Sequence, residues 1–139
     1  MVSYYKTVAN RLIEVDSLMP GCWISVVDPT AQERKMLIDD YGLDSDFLKS
    51  SLDEEESSRV EQDNQTLIIV DTAVSEVQKD DTLIFYTMPL GIILTDHYVF
   101  TISLRENKVI NDVVSGRVRN IQTQFRTQFV LRLMMNITA

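Results

Sequence analysis

Glycine is scarce in this chain, with four in 139 residues, and there is one cysteine and one histidine. So few glycines leave no phosphate-cradling loop, and neither the P-loop nor the dinucleotide fingerprint is present. The lone Cys22 excludes an internal disulfide and a cysteine-rich zinc site, and it is compatible with a reducing compartment. Preceding Trp23 in a strand-like run, it reads as a small buried hydrophobe. His97 falls in a predicted hairpin turn and reads as a surface residue. Without a second histidine, no catalytic dyad or common imidazole metal site can be built from this chain alone. The residue inventory supports no enzyme.

Basic charge is the scarcer sign, with 13 Lys and Arg against 21 Asp and Glu, a formal net charge of −8. An acidic surface repels phosphates and anionic lipid, so nucleic acid is not an expected partner, whereas cations are. No window reaches the roughly 18 apolar residues needed to span a bilayer. The start, Met1-Val2-Ser3-Tyr4-Tyr5-Lys6, lacks the apolar core of a signal peptide. Taken alone, the chain reads as soluble. What it does have is ordinary globular composition, 45% apolar and 24% charged, at a length that suits one domain with a real core.

Residues 3 to 27 read as short strands, among them Arg11 to Val15 and Cys22 to Val27, with Met19-Pro20-Gly21 as the turn between those two. Pro29 stops the ladder. Thr30 and Glu33 have capping-box spacing, so a helix is expected there, with Ala31, Leu37, Ile38 and Tyr41 on its inner face and Gly42 as its stop. A second short helix follows, capped by Asp44 or Ser45, with Phe47, Leu48 and Leu52 inward. Leu67 to Val70 is a continuous apolar run, as for a strand covered on both faces. Thr82 to Met88, Leu90 to Leu94 and Tyr98 to Leu104 read as further strands, the last two joined by the turn Thr95-Asp96-His97. The fold class is therefore α/β, a layered sandwich with a mixed parallel and antiparallel sheet.

From Gln124 to Ile137 the pattern is helical. Gln124, Gln128, Arg132 and Asn136 form one polar stripe, while Phe129, Val130, Leu131, Leu133, Met134, Met135 and Ile137 fill the rest. A helix apolar over most of its circumference needs cover over most of it. One reading is a deeply buried terminal helix. The other is that the natural protein continues past Ala139 and that further helices or subunits supply the cover.

The one chemically loaded region runs from Asp39 to Asp63. It holds Asp39, Asp40, Asp44, Asp46, Asp53, Glu54, Glu55, Glu56, Glu61 and Asp63 against Lys49 and Arg59. Hard oxygen donors of this kind suit magnesium or calcium held through one or two carboxylates plus water. The EF-hand pattern is absent. The plain alternative is a solvated loop and helix face.

The order of segments resembles the N-terminal cytosolic domain of CorA-type magnesium and divalent-cation transporters. Trp23-Ile24-Ser25-Val26-Val27-Asp28-Pro29 looks like the strand that opens that sandwich, and Tyr41-Gly42-Leu43 like the step between its two helices. Leu52-Asp53-Glu54-Glu55-Glu56 with Arg59-Val60-Glu61 is similar to its acidic loop and strand entry. Thr87 to Leu94 and Val99 to Ile102 look like its paired strands, and Phe125 to Met135 like the helix leading towards the stalk. The likeness covers about the whole chain.

The resemblance implies a sandwich at residues 1–122 and a stalk-directed helix at 123–139, on the cytoplasmic face of the membrane, usually in a homopentamer. It further implies magnesium as a weakly bound regulatory ion, held by carboxylates at subunit contacts, whose loss loosens the assembly. The Gly-Met-Asn pore signature, both membrane helices and most of the stalk are absent, so membrane contact would come only through a further C-terminal part. The family's regulatory aspartate falls in register with Ser50. Asp46 and Asp53, about a helical turn away on either side, are the substitute metal ligands. The competing expectation is a stand-alone interaction module that docks a partner through its apolar C-terminal helix.

Overall fold

Cys22, Ile24 and Val26 point to one side of a strand and Trp23 to the other, and all four are buried. That two-sided burial sets the architecture: a central sheet with cover on both faces. The structure, a computed structural model, describes residues 1–138; Ala139, the end of the expected stalk-directed stretch, lies outside the described residues. The elements in chain order are β1 (Val2–Val8), β2 (Arg11–Val15), β3 (Trp23–Val27), α1 (Ala31–Asp39), α2 (Ser45–Ser51) and β4 (Arg59–Gln62). They continue with β5 (Thr66–Val77), β6 (Leu83–Leu94), β7 (Val99–Ser103), α3 (Lys108–Val114) and α4 (Arg126–Thr138).

The strands form one sheet in the order β2-β1-β3-β7-β6-β5-β4. Only β3 and β7 run parallel; the other neighbours are antiparallel, so the sheet is mixed, as the sequence leads one to expect. On one face α1, α2 and the turn between them bring Leu37, Leu43, Phe47 and Leu48 against Ile24, Ile69, Ile93 and Phe100. On the other, α3 and α4 bring Ile110, Val113, Phe129, Val130 and Leu133 against Tyr5, Trp23, Leu90 and Ile92.

Local signals place most of these elements. Between β2 and β3 the Cys22 amide donates to Met19 O at 3.2 Å and Gly21 has φ 79°, the conformation a type II turn requires after proline. Thr30 and Glu33 form the expected capping box, each side chain accepting from the other's backbone amide. The hydrogen bond from the Thr30 amide, together with the terminal ammonium of Met1, holds the Glu33 carboxyl below its usual range. A depressed carboxyl adds stability that is complete above its unfolded pKa and is lost as the pH falls through its folded one. Glu33→Gln is therefore expected to flatten part of the fall in melting temperature between about pH 5 and about pH 3, measured against the parent by circular dichroism.

Several expectations are corrected in detail. Ala31 is exposed, because α1 meets the sheet through Leu37 and Ile38 nearer its C-terminal end. Gly42 has the expected positive φ, 70°, but sits two residues beyond the cap Asp40. The segments Thr82–Met88 and Leu90–Leu94 are one strand that runs through Pro89. The ladder tolerates this proline because β7 pairs only with Gly91–Leu94, leaving Pro89 no strand neighbour on that side. Helix α3 was not anticipated. Asn107 caps it, accepting from the Val109 amide at 2.9 Å, and donates at 2.7 Å to Thr72 Oγ1, which donates to Met88 O. This buried polar chain fixes α3 to the β5–β6 pair.

Beyond Val70 and Leu90, β5 and β6 continue as a two-stranded ribbon, since β4 pairs only as far as Ile69. Val77, Leu83 and Phe85 lie on one face of it and are exposed, Phe85 to 75%.

Helix α4 starts two residues later than the periodicity suggests. Residues 121–123 run beside β1, where the Thr7 amide donates to Thr123 Oγ1 at 3.1 Å and Thr7 Oγ1 to Ile121 O at 3.0 Å. Phe129 then packs against Trp23 with ring centroids 5.1 Å apart and the planes tilted by 54°, and the other ring neighbour of Trp23 is Tyr5 at 4.9 Å. The opposite side of α4 is bare, with Leu131 55% and Met135 63% exposed. One face is buried and the other is not, and Gln128 of the polar stripe is exposed on the open side with Leu131 and Met135.

Candidate functional site

The acid-rich segment folds as the end of α1, all of α2 and the loop into β4. Asp44 is the N-cap of α2, its Oδ1 accepting from the amides of Asp46 and Phe47 at 2.9 and 3.0 Å, so that carboxylate already serves the helix end. Asp46 stands exposed in the first turn, where a negative charge complements the helix dipole. Asp39 and Asp40 close α1 nearby, also exposed, with no basic residue in that helix's last turn.

Asp53 lies past the other end of α2. Its Oδ1 accepts from the Glu55 amide at 3.0 Å. The neighbouring acids are matched by arginines: Glu56 pairs with Arg59, which also reaches Glu61 at 3.4 Å and Ser50 Oγ at 3.3 Å, and Glu54 pairs with Arg105 at 2.7 Å. Arg105 comes from just after β7 and lies over the Tyr86 ring of the ribbon. Its pairing spans 51 positions of sequence, and nothing local announces it. The pairing of Arg59 with Glu56, three residues apart, is readable from spacing.

Asp53, Glu54 and Glu56 share with Arg34, Lys49 and Ser50 an open groove of about 510 Å³ whose floor includes Ile38, Leu48 and Leu52. Asp46 does not line it. Asp46 lies in the first turn of α2 and Asp53 beyond its C-cap Leu52, so the two aspartates stand at opposite ends of the helix. Among the described residues, no three acidic, histidine or cysteine side chains gather around a common point. The donors fit an ion that keeps most of its waters and takes one carboxylate at a time, which is how magnesium is commonly held. They do not fit a closed cage within one chain. Cys22 is buried and His97 exposed in its turn, and neither is part of this region.

A mixed sheet with helices on both faces has counterparts among solved structures. The family described as CorA-like Mg2+ transporter protein matches residues 21–139, and the chain belongs to it. The CorA magnesium transporter of Methanocaldococcus jannaschii superposes with a TM-score of 0.76 at 22% identity, over 99% of this chain and 44% of that one. The soluble domain of the same CorA gives 0.77 at 24% identity, over 99% and 56%. The cytoplasmic domain of ZntB from Vibrio parahaemolyticus RIMD 2210633 gives 0.67 at 9% identity, over 97% and 56%. At these identities the likeness is one of fold, and the chain spans about half the length of the proteins it matches. No curated protein matches the chain in sequence. Among the described residues no helix is long and apolar enough to cross a membrane.

Proposed function

We propose that this chain is the magnesium-sensing regulatory domain of a CorA-like divalent-cation transport protein, hung at the cytoplasmic face of the membrane. The observation that carries this reading is the family match over residues 21–139, joined to the exposed carboxylates at both ends of α2. Residues 1–122 form the sandwich, and 123–139 the helix leading towards a stalk that covers the outer side of α4. Copies assemble as a homo-oligomer, a pentamer in the full-length protein. Asp46 at one end of α2 and Asp53 at the other each offer a carboxylate to a hydrated magnesium ion at a contact between subunits. The ion that binds the assembled, closed arrangement more tightly stabilises it, and losing the ion releases it. The chain itself carries out no conduction and no catalysis.

Thermal melting in a magnesium titration tests this. At a hundred times its dissociation constant the ion is expected to add about 2.7 kcal/mol to the stability of the parent, with Asp46→Ala and Asp53→Ala each reducing the shift. A parent whose melting temperature ignores magnesium, while calcium and sodium controls behave alike, would remove the sensing role. The bare side of α4 also suits the second reading, a module that docks another protein through this helix. That reading gains if the chain captures one stoichiometric protein partner and ignores the ion.

A further inference from the structure

We propose that Ser51 and Gly91 form an interlock through which the state of α2 is passed across the sheet to α4; the inference rests on the sensing role proposed above. Ser51 is the last residue of α2, fully buried, and its hydroxyl donates to Phe47 O at 2.8 Å. It sits in the space that a side chain at Gly91 would fill. A methyl group there would lie well inside contact distance of Ser51 Oγ and Cβ, and 3.2 Å from its Cα. The side chain of Ser51 therefore packs directly on the backbone of the strand. The preceding residue, Ser50, is held by Arg59, the arginine that pairs with Glu56 and Glu61. One turn of α2 thus joins the acidic loop to β6.

From Gly91 the path through the sheet is short. The next residue, Ile92, points to the opposite face and pairs in register with Thr101 of β7. Thr101 Oγ1 accepts the buried indole N–H of Trp23 at 2.9 Å, and the Trp23 ring packs on Phe129 of α4. Close-packed interiors of this kind transmit displacement because they have little room to absorb it. A cation that draws the acidic loop away from Arg59 shifts the end of α2, and Trp23 and α4 move with the strand. The coupling is carried by packing contacts, and Ser51 and Gly91 are positioning residues within it.

Trp23 is the only tryptophan in the chain, so its emission reports on this path. Magnesium binding is measured by calorimetry and the change in Trp23 emission by fluorescence, in the parent, in Ser51→Gly, and in Ser51→Gly with Gly91→Ala. The single change empties the interlock, and the double change refills it from the strand side. Ser51→Gly is expected to bind magnesium with parental affinity and to lose at least half of the emission change, and the double variant to regain it. A full response in Ser51→Gly, a double variant that fails to regain it, or a parent that binds magnesium without any change in emission would each overturn the coupling and leave the sensing role standing. A parent that binds no magnesium removes the sensing role, and the coupling falls with it.

Discussion

Trp23→Ala is expected to cost about 3–5 kcal/mol, a large part of the 5–15 kcal/mol that holds a typical domain together. Trp23 is fully buried at the middle of the sheet, packed between Tyr5 of β1 and Phe129 of α4. Truncation removes both ring contacts and leaves a cavity between the strand and the helix. Part of the loss is local, so α4 amides should exchange faster than those of α1, whose contacts lie on the other face of the sheet. Trp23→Phe should be milder, at about 1–3 kcal/mol, because the ring is kept and the Thr101 hydroxyl loses its partner. Denaturant melts and hydrogen exchange measure both effects. Equal exchange rates for α1 and α4 in Trp23→Ala would show that the tryptophan does not anchor that helix in particular.

Gly91→Ala is expected to cost about 3 kcal/mol through overpacking. The added methyl overlaps Ser51 Cβ, which rotation about χ1 does not move, so α2 must lift from the sheet. A compensating change follows from the geometry: Ser51→Gly in the same chain should restore most of the loss. The two residues are in contact, and their effects should be strongly non-additive in a double-mutant cycle. A double variant no more stable than Gly91→Ala alone would place the strain elsewhere.

Much of the fold can be read from short-range pattern. The capping box at Thr30 and Glu33, the Asp44 cap and the Pro20-Gly21 turn are local physics, and each occurs where the residues indicate. The two-sided burial of Leu67 to Val70 is equally legible, since a charge-free run has no face to offer to water. What escaped depends on partners far along the chain. Helix α3 is seven residues long, and its cap Asn107 is fixed by Thr72, 35 positions away. The passage of β6 through Pro89 depends on β7 stopping short, which no reading of β6 itself discloses. For the candidate site, the acidic character of α2 and its loop is plain in the sequence. The answering charge of Arg105 and the separation of Asp46 from Asp53 emerge only once the helix and loop are folded.

The ribbon at the far end of β5 and β6 has a practical consequence for anyone handling the protein. Strand β6 has twelve residues and no charge among them, and from Leu83 to Leu90 its outer edge meets no further strand. Native proteins commonly guard such borders with lysine or proline, because an open, greasy border recruits other chains; here Pro89 guards only the end nearest the sheet, and Leu83–Met88 has neither. Concentration and long storage therefore act on this border first, and turbidity in a stored sample should begin there. A lysine in place of Phe85 is the simplest guard, since that ring already faces water and leaves no hole when removed.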